Sequence, residues 1–268
     1  MRKQLIALVA ALLLPVSTVM ASGGVHLESA NIDLNNHTSL QNGAKYYMNY
    51  CQGCHSLSAA RYNRMATDIG LPVLPENTGK SGEEANKVAE ANAKLLADNL
   101  MFTRDEDGKA LNLGSLMHSS IPAKDAANWF GAPAPDLSLV GRSRGADWIY
   151  TYLKSFYLDD KRPTGVNNTA FPNVGMPHVL WELQGWQELE VHESPNGHKT
   201  ETLKLAKPGS MSAGEYDTVV RDLTNFLAYT SEPAQLHRKK YGIFAMLLLI
   251  VFIGFAYLLK KEFWKDVH

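Results

Sequence analysis

Cys51-Gln52-Gly53-Cys54-His55 constrains this chain more than any other stretch of it. Cys-x-x-Cys-His is the spacing of covalent c-type haem attachment. Two thiols add across the two haem vinyl groups, and the histidine after the second is placed to ligate the iron from one face. The chain has 2 cysteines in all, so no other thiol competes for the role. A redox-active Cys-x-x-Cys disulfide would sit after a strand. The residues before Cys51 are helix-like instead, and a disulfide would leave His55 without a purpose.

Two other stretches concern membranes. Arg2 and Lys3 precede an apolar run from Leu5 to Pro15, and Val19-Met20-Ala21 supplies small residues for cleavage after Ala21. That is the pattern of a secretory signal peptide, expected over residues 1–21. Export agrees with the haem motif, because c-type attachment outside the cytoplasm requires the apoprotein to cross first. Near the other end, Tyr241 to Leu259 carries no charge. At about 1.5 Å per residue it spans roughly 28 Å, close to the bilayer hydrocarbon thickness. Arg238, Lys239 and Lys240 precede it and Lys260, Lys261 and Lys265 follow, so flanking charge is a tie. The signal peptide sets the orientation. The expected organisation is a periplasmic haem domain over residues 22–237, a transmembrane anchor with basic flanks over 238–260 and a cytoplasmic tail over 261–268.

The formal net charge of -1 argues against a nucleic-acid partner. The fold class expected is mainly α: a c-type cytochrome haem domain with long loop insertions plus one C-terminal transmembrane helix. Ser22 to Asn36 is polar and reads as a surface loop. A helix is expected from Ser39 to Tyr50, in which Gly43 either lets a second helix approach closely or is simply tolerated. The run Ser56 to Ile69 looks helical, and Ser81 to Asn99 reads as an amphipathic surface helix. Asp105-Glu106-Asp107-Gly108 is an acidic turn. Asn128 to Leu139 mixes Trp129 and Phe130 with Pro133 and Pro135. It reads as a stiff apolar segment, not a helix, suited to lining a flat cofactor. Arg142 and Arg144 follow it as candidate partners of the haem propionates, because a guanidinium pairs bidentately with a carboxylate. Asp147 to Tyr157 then reads as a helix against that pocket. Ser212 opens a last capped helix, running to about Thr230.

The second axial position decides between an open haem and an electron carrier. Of 9 methionines, Met1 and Met20 lie in the leader. Met48 and Met65 sit too near the attachment segment to reach the far face, Met246 is in the span, Met211 adjoins a helix start, and Met101 and Met117 have undistinguished surroundings. Met176 lies in Phe171-Pro172-Asn173-Val174-Gly175-Met176-Pro177-His178, an irregular loop able to present a thioether at a fixed distance. Met176 is the expected ligand, and His178 is its rival. Thioether ligation favours reduced iron and raises the potential.

These residues together resemble the cytochrome c1 family of the cytochrome bc1 complex, in its bacterial type. The resemblance runs through Cys51 to Ser56, Pro135-Asp136-Leu137-Ser138, Arg142-Ser143-Arg144-Gly145 and Gly175-Met176-Pro177. It continues through Met211-Ser212 to Glu215-Tyr216-Asp217, Arg221-Asp222-Leu223, Asn225-Phe226-Leu227 and Glu232-Pro233, ending at His237-Arg238-Lys239 before the span. Ala134 departs from it, standing where the family commonly has a second proline beside Pro135. The resemblance implies one haem c bound covalently by Cys51 and Cys54, iron ligated by His55 and Met176, and a propionate arginine at Arg144. It implies cytochrome b and the Rieske iron–sulfur protein as partners in a dimeric complex of the bacterial inner membrane. A soluble or membrane-bound cytochrome c would accept the electrons. Quinol chemistry would belong to the complex and not to this chain. A free-standing anchored cytochrome c feeding a terminal oxidase is the alternative, and an open haem sensor is a third reading.

Overall fold

A computed structural model describes residues 26–105, 107–194 and 199–266. The leader expected over residues 1–21 lies outside the described residues. Helix α1 (His37–Tyr46) starts at Asn36, whose side chain accepts the Ser39 N–H. It runs on into one π-helical turn, Tyr47–Cys51, which delivers the first cysteine. The helix expected from Ser39 is therefore present, with its last turn widened at the haem motif.

The helix expected over Ser56 to Ile69 is instead a strand, β1 (Leu57–Arg61), followed by α2 (Tyr62–Asp68). Tertiary hydrogen bonds override local propensity. The Ser58 N–H donates to the Asp136 carboxylate at 2.9 Å and the Ala59 N–H to Ser138 Oγ at 3.1 Å, while Leu57 pairs with Met117. Helix α3 (Gly82–Leu100) is the amphipathic surface helix that was expected. In the acidic turn after it, Asp105 accepts the N–H groups of Asp107 and Lys109, closing the turn on itself.

Strand β2 (Leu116–Met117) pairs with β1. Trp129 and Phe130 were expected in an extended segment but end a helix, α4 (Ala123–Phe130). Gly131, at φ 82°, stops it, and Pro133 and Pro135 keep the chain after it irregular. Helices α5 (Val140–Ser143) and α6 (Ala146–Lys154) follow. The last of these ends short of the Tyr157 expected, because Phe156 already belongs to β3 (Phe156–Leu158), paired with β4 (Val166–Asn168). The short α7 (Trp181–Gln184) leads into a hairpin of β5 (Gly185–Glu193) and β6 (Lys199–Pro208), registered from Gly185 opposite Pro208 to Glu193 opposite Lys199.

Helix α8 (Ala213–Ser231) opens with a complete capping box between Ser212 and Glu215. Its apolar stripe of Val219, Val220, Leu223, Phe226 and Leu227 is buried against Leu40, Ala44 and Tyr47 of the first helical segment. Tyr47 and Phe226 rings pack with centroids 5.7 Å apart. Gly43 lies at the contact: a Cβ there would stand 2.6 Å from Phe226 Cβ and collide with the Asp222 carbonyl. Gly141 plays the same part for α5, since its Cβ would meet Ala228 Cα at 2.9 Å. Buried Asp222 accepts from Ser39 Oγ at 2.6 Å and Asn42 Nδ2 at 3.0 Å, which offsets the cost of taking a carboxylate out of water. The N-terminal segment is strapped across this pair by Arg221 Nε on the Ala30 carbonyl and Asn225 Nδ2 on the Asp33 carbonyl.

Helix α9 (Gln235–Phe263) carries the candidate span. The stretch long enough to span, Tyr241–Phe263, is 23 residues long with none of it buried. About 34 Å of helix is enough to cross a bilayer, four residues longer than the uncharged run because Lys260 and Lys261 continue the helix.

Candidate haem-binding site

The π turn fixes the cysteine motif. Gln52 N–H reaches back to the Tyr47 carbonyl at 2.9 Å, and the Cys54 and His55 N–H groups both donate to the Cys51 carbonyl. Tyr47 Oη donates to the His55 carbonyl at 2.7 Å, and Gln52 Nε2 bonds Tyr62 Oη at 2.6 Å. Cys51 is buried and Cys54 exposed. Burial, with the neighbouring Cys54, pushes the Cys51 thiol up to about 12.

His55 is oriented by the proline segment. Its Nδ1 lies 2.7 Å from the Pro135 carbonyl oxygen. A carbonyl only accepts, so Nδ1 carries the proton and Nε2 keeps a free lone pair, the form a metal takes. Burial lowers the imidazole's basicity further than the Pro135 bond raises it, which keeps the ring neutral. Asp136 anchors that segment. Its carboxylate accepts the N–H groups of Ser58 and Ser138, and these bonds outweigh burial to hold it below the usual carboxylate range.

These residues open onto a cavity of about 330 Å³. Cys51, His55, Pro135, Arg144, Tyr152 and Met176 line it, with Leu137, Leu139, Val140, Ile149, Leu153, Leu223 and Leu227 as apolar wall. Cys54 and Arg142 do not line it. The Arg142 guanidinium pairs with Glu232 at 3.0 Å on the outer side of α5, whereas the Arg144 guanidinium lies 5.0 Å from the Trp148 ring centroid and 5.8 Å from that of Phe171.

Met176 is presented by a loop built on two asparagines. Asn167 Oδ1 accepts the Asn173 N–H at 2.8 Å, and Asn168 Oδ1 accepts those of Ala170 and Phe171. Arg162 donates to the Asn173 carbonyl at 3.0 Å, holding that residue at φ 64°. Tyr152 Oη donates to Met176 Sδ at 3.3 Å, and burial pushes its phenol well above its ordinary value, so it stays a donor. His178 lies outside the cavity lining, stacked on Phe156 at 5.0 Å with Trp186 edge-on, and burial pushes its pKa down to about 4. Met48, Met65, Met101 and Met117 are buried in the core away from the cavity. Sequence reasoning missed Asn167, Asn168, Asp136 and Tyr152 as supports; of these only the Asn-Asn pair ahead of a Pro-Gly loop carries a local turn signal.

The donor set suits a covalently held haem: two thiols three residues apart, a neutral imidazole with its second nitrogen tied, a thioether, apolar walls and one cation for carboxylates. The sequence profile of the Cytochrome C1 family matches residues 29–207 and 209–267. Cytochrome c1 of Allochromatium vinosum is 50% identical over 260 residues, 96% of each chain. An ammonia monooxygenase gamma subunit of Nitrosomonas europaea is 40% identical over 97% of each chain, and a mitochondrial cytochrome b-c1 complex catalytic subunit of Candida albicans is 26% identical over 86% of this chain and 73% of its own. With the profile covering nearly the whole chain, the protein belongs to the cytochrome c1 family, whose members carry a covalently bound haem c and form the haem subunit of the cytochrome bc1 complex.

Proposed function

We propose that this chain takes single electrons from a Rieske iron–sulfur protein and passes them to a soluble or membrane-bound cytochrome c, within a dimeric complex containing cytochrome b. The haem, when bound, supplies a one-electron ferric–ferrous couple. Cys51 and Cys54 hold it covalently, His55 offers Nε2 while Pro135 keeps its proton on Nδ1, and Met176 offers sulfur. Arg144, which lines the cavity, would hold the propionates, and Arg142 stays with Glu232 on the outer side. The apolar wall excludes water, so few dipoles have to reorient when the charge changes by one.

In this reading residues 1–21 are a cleaved leader, residues 22–237 face the periplasm, residues 238–260 anchor the domain in the inner membrane and residues 261–268 are cytoplasmic. The observation that carries it is the single cavity shared by Cys51, the tautomer-locked His55 and Met176. Solubilised membranes test it. Purification through a tag on this chain should bring down a b-type cytochrome and an iron–sulfur protein in constant ratio. Recovery of this chain alone at every detergent concentration would sink the assignment.

A further inference from the structure

The cavity holds one polar contact that haem attachment does not explain. Tyr152 Oη lies 3.3 Å from Met176 Sδ, and that sulfur is the hydroxyl's hydrogen-bond partner among the described residues. The ring is held from two sides. Trp148 stacks on it at 4.9 Å and 12°, and Phe156 meets it at 5.2 Å and 69°. Its carbonyl accepts Asn168 Nδ2 at 2.8 Å, so the asparagine that shapes the Met176 loop also fixes the backbone of Tyr152. The two ring contacts and the Asn168 bonds therefore set hydroxyl and thioether against each other. Tyr150, on the same helix, turns its hydroxyl away, to Asp217 and Lys154.

We propose that Tyr152 is a positioning residue for the axial thioether, holding one sulfur lone pair so that the other is offered to iron, and that it raises the reduction potential. This rests on Met176 being the ligand. A thioether sulfur has two lone pairs, and a hydrogen bond to one fixes which remains. The bond also draws electron density from sulfur. Ferric iron needs that density more than ferrous iron, so the weakened donor favours the reduced form. The couple takes up one electron, and the phenolic proton stays on Tyr152 oxygen in both states.

The test uses the full-length haem-loaded protein in its membrane complex, with potentiometric titration and the ferric thioether-to-iron charge-transfer absorption as readouts. Tyr152→Phe keeps the ring and its stacking. A neutral hydrogen bond is worth roughly a factor of two to ten in an equilibrium. The bond is present in both redox states and only its difference between them moves the couple, so the potential should fall by up to about 59 mV for one electron, and the absorption should move. Tyr150→Phe should leave both unmoved. A fluorinated tyrosine incorporated at position 152, a stronger donor, should raise the potential, and this arm decides the matter alone should Tyr152→Phe not assemble. A potential that follows neither change at position 152 overturns the proposal. Met176→Leu separates the two layers: it should abolish the charge-transfer absorption, and persistence of that absorption would overturn Met176 as ligand whatever Tyr152 does.

Discussion

Gly43 is where the fold leaves least room, and replacing it by alanine gives a number. The added Cβ would stand 2.6 Å from Phe226 Cβ, where carbon atoms rest at about 3.5–4.0 Å, and would collide with the Asp222 carbonyl. The carbonyl is backbone in α8 and cannot rotate away, so relief requires the two helices to separate. Overpacking of this kind costs about 3 kcal/mol, the upper end of its usual range. Alanine recovers about 1 kcal/mol through helix propensity, leaving a net loss of about 2 kcal/mol. For a domain of this size that lowers Tm by about 4–8 °C. Circular dichroism and haem absorbance, followed on heating the purified full chain in detergent, would measure it. Gly214→Ala is the control: it lies in the first turn of α8, where a Cβ meets nothing within 4 Å. It should melt at or slightly above wild type. Should Gly43→Ala do the same, close approach is not the reason for glycine there.

Two further outcomes follow from the charged groups. Arg144→Gln removes the cation that lines the cavity and should lower the potential, by up to about tenfold in the equilibrium or ~59 mV; Arg142→Gln, which loses only its Glu232 pair, should not move it. In Asp217, burial is outweighed by hydrogen bonds from Tyr150 and Lys154, which with Arg221 hold the carboxyl below its usual range. A carboxyl depressed in the folded state contributes stability above its unfolded pKa of about 3.9 and loses it as pH falls through the lower folded value. Urea unfolding from pH 7 down to 3 should show the wild type losing stability below about pH 4, with a shallower loss in Asp217→Asn.

Local chemistry makes several features legible in the sequence. The Cys51 to His55 spacing, the Ser212–Glu215 capping box and the uncharged run in α9 each act through neighbours in sequence. Features decided by distant partners were not legible. Leu57 to Arg61 has helix-compatible residues but pairs with Leu116 and Met117, some sixty positions on. Trp129 and Phe130 end a helix because Gly131 takes a positive φ, which the prolines beyond it concealed. The β5–β6 hairpin carries its pairing between segments that no helical or membrane pattern marks. Within the site, Cys51, His55, Arg144 and Met176 were expected and share one cavity, whereas Arg142 meets Glu232 and Tyr152 meets Met176 through contacts of 90 and 24 positions in sequence.

Carbon monoxide is the most direct probe of an iron closed by His55 and Met176. Rapid mixing with the reduced wild-type complex should give no fast binding phase at this haem, and Met176→Ala should bind promptly. Prompt binding by the wild type would contradict a closed, six-coordinate electron carrier.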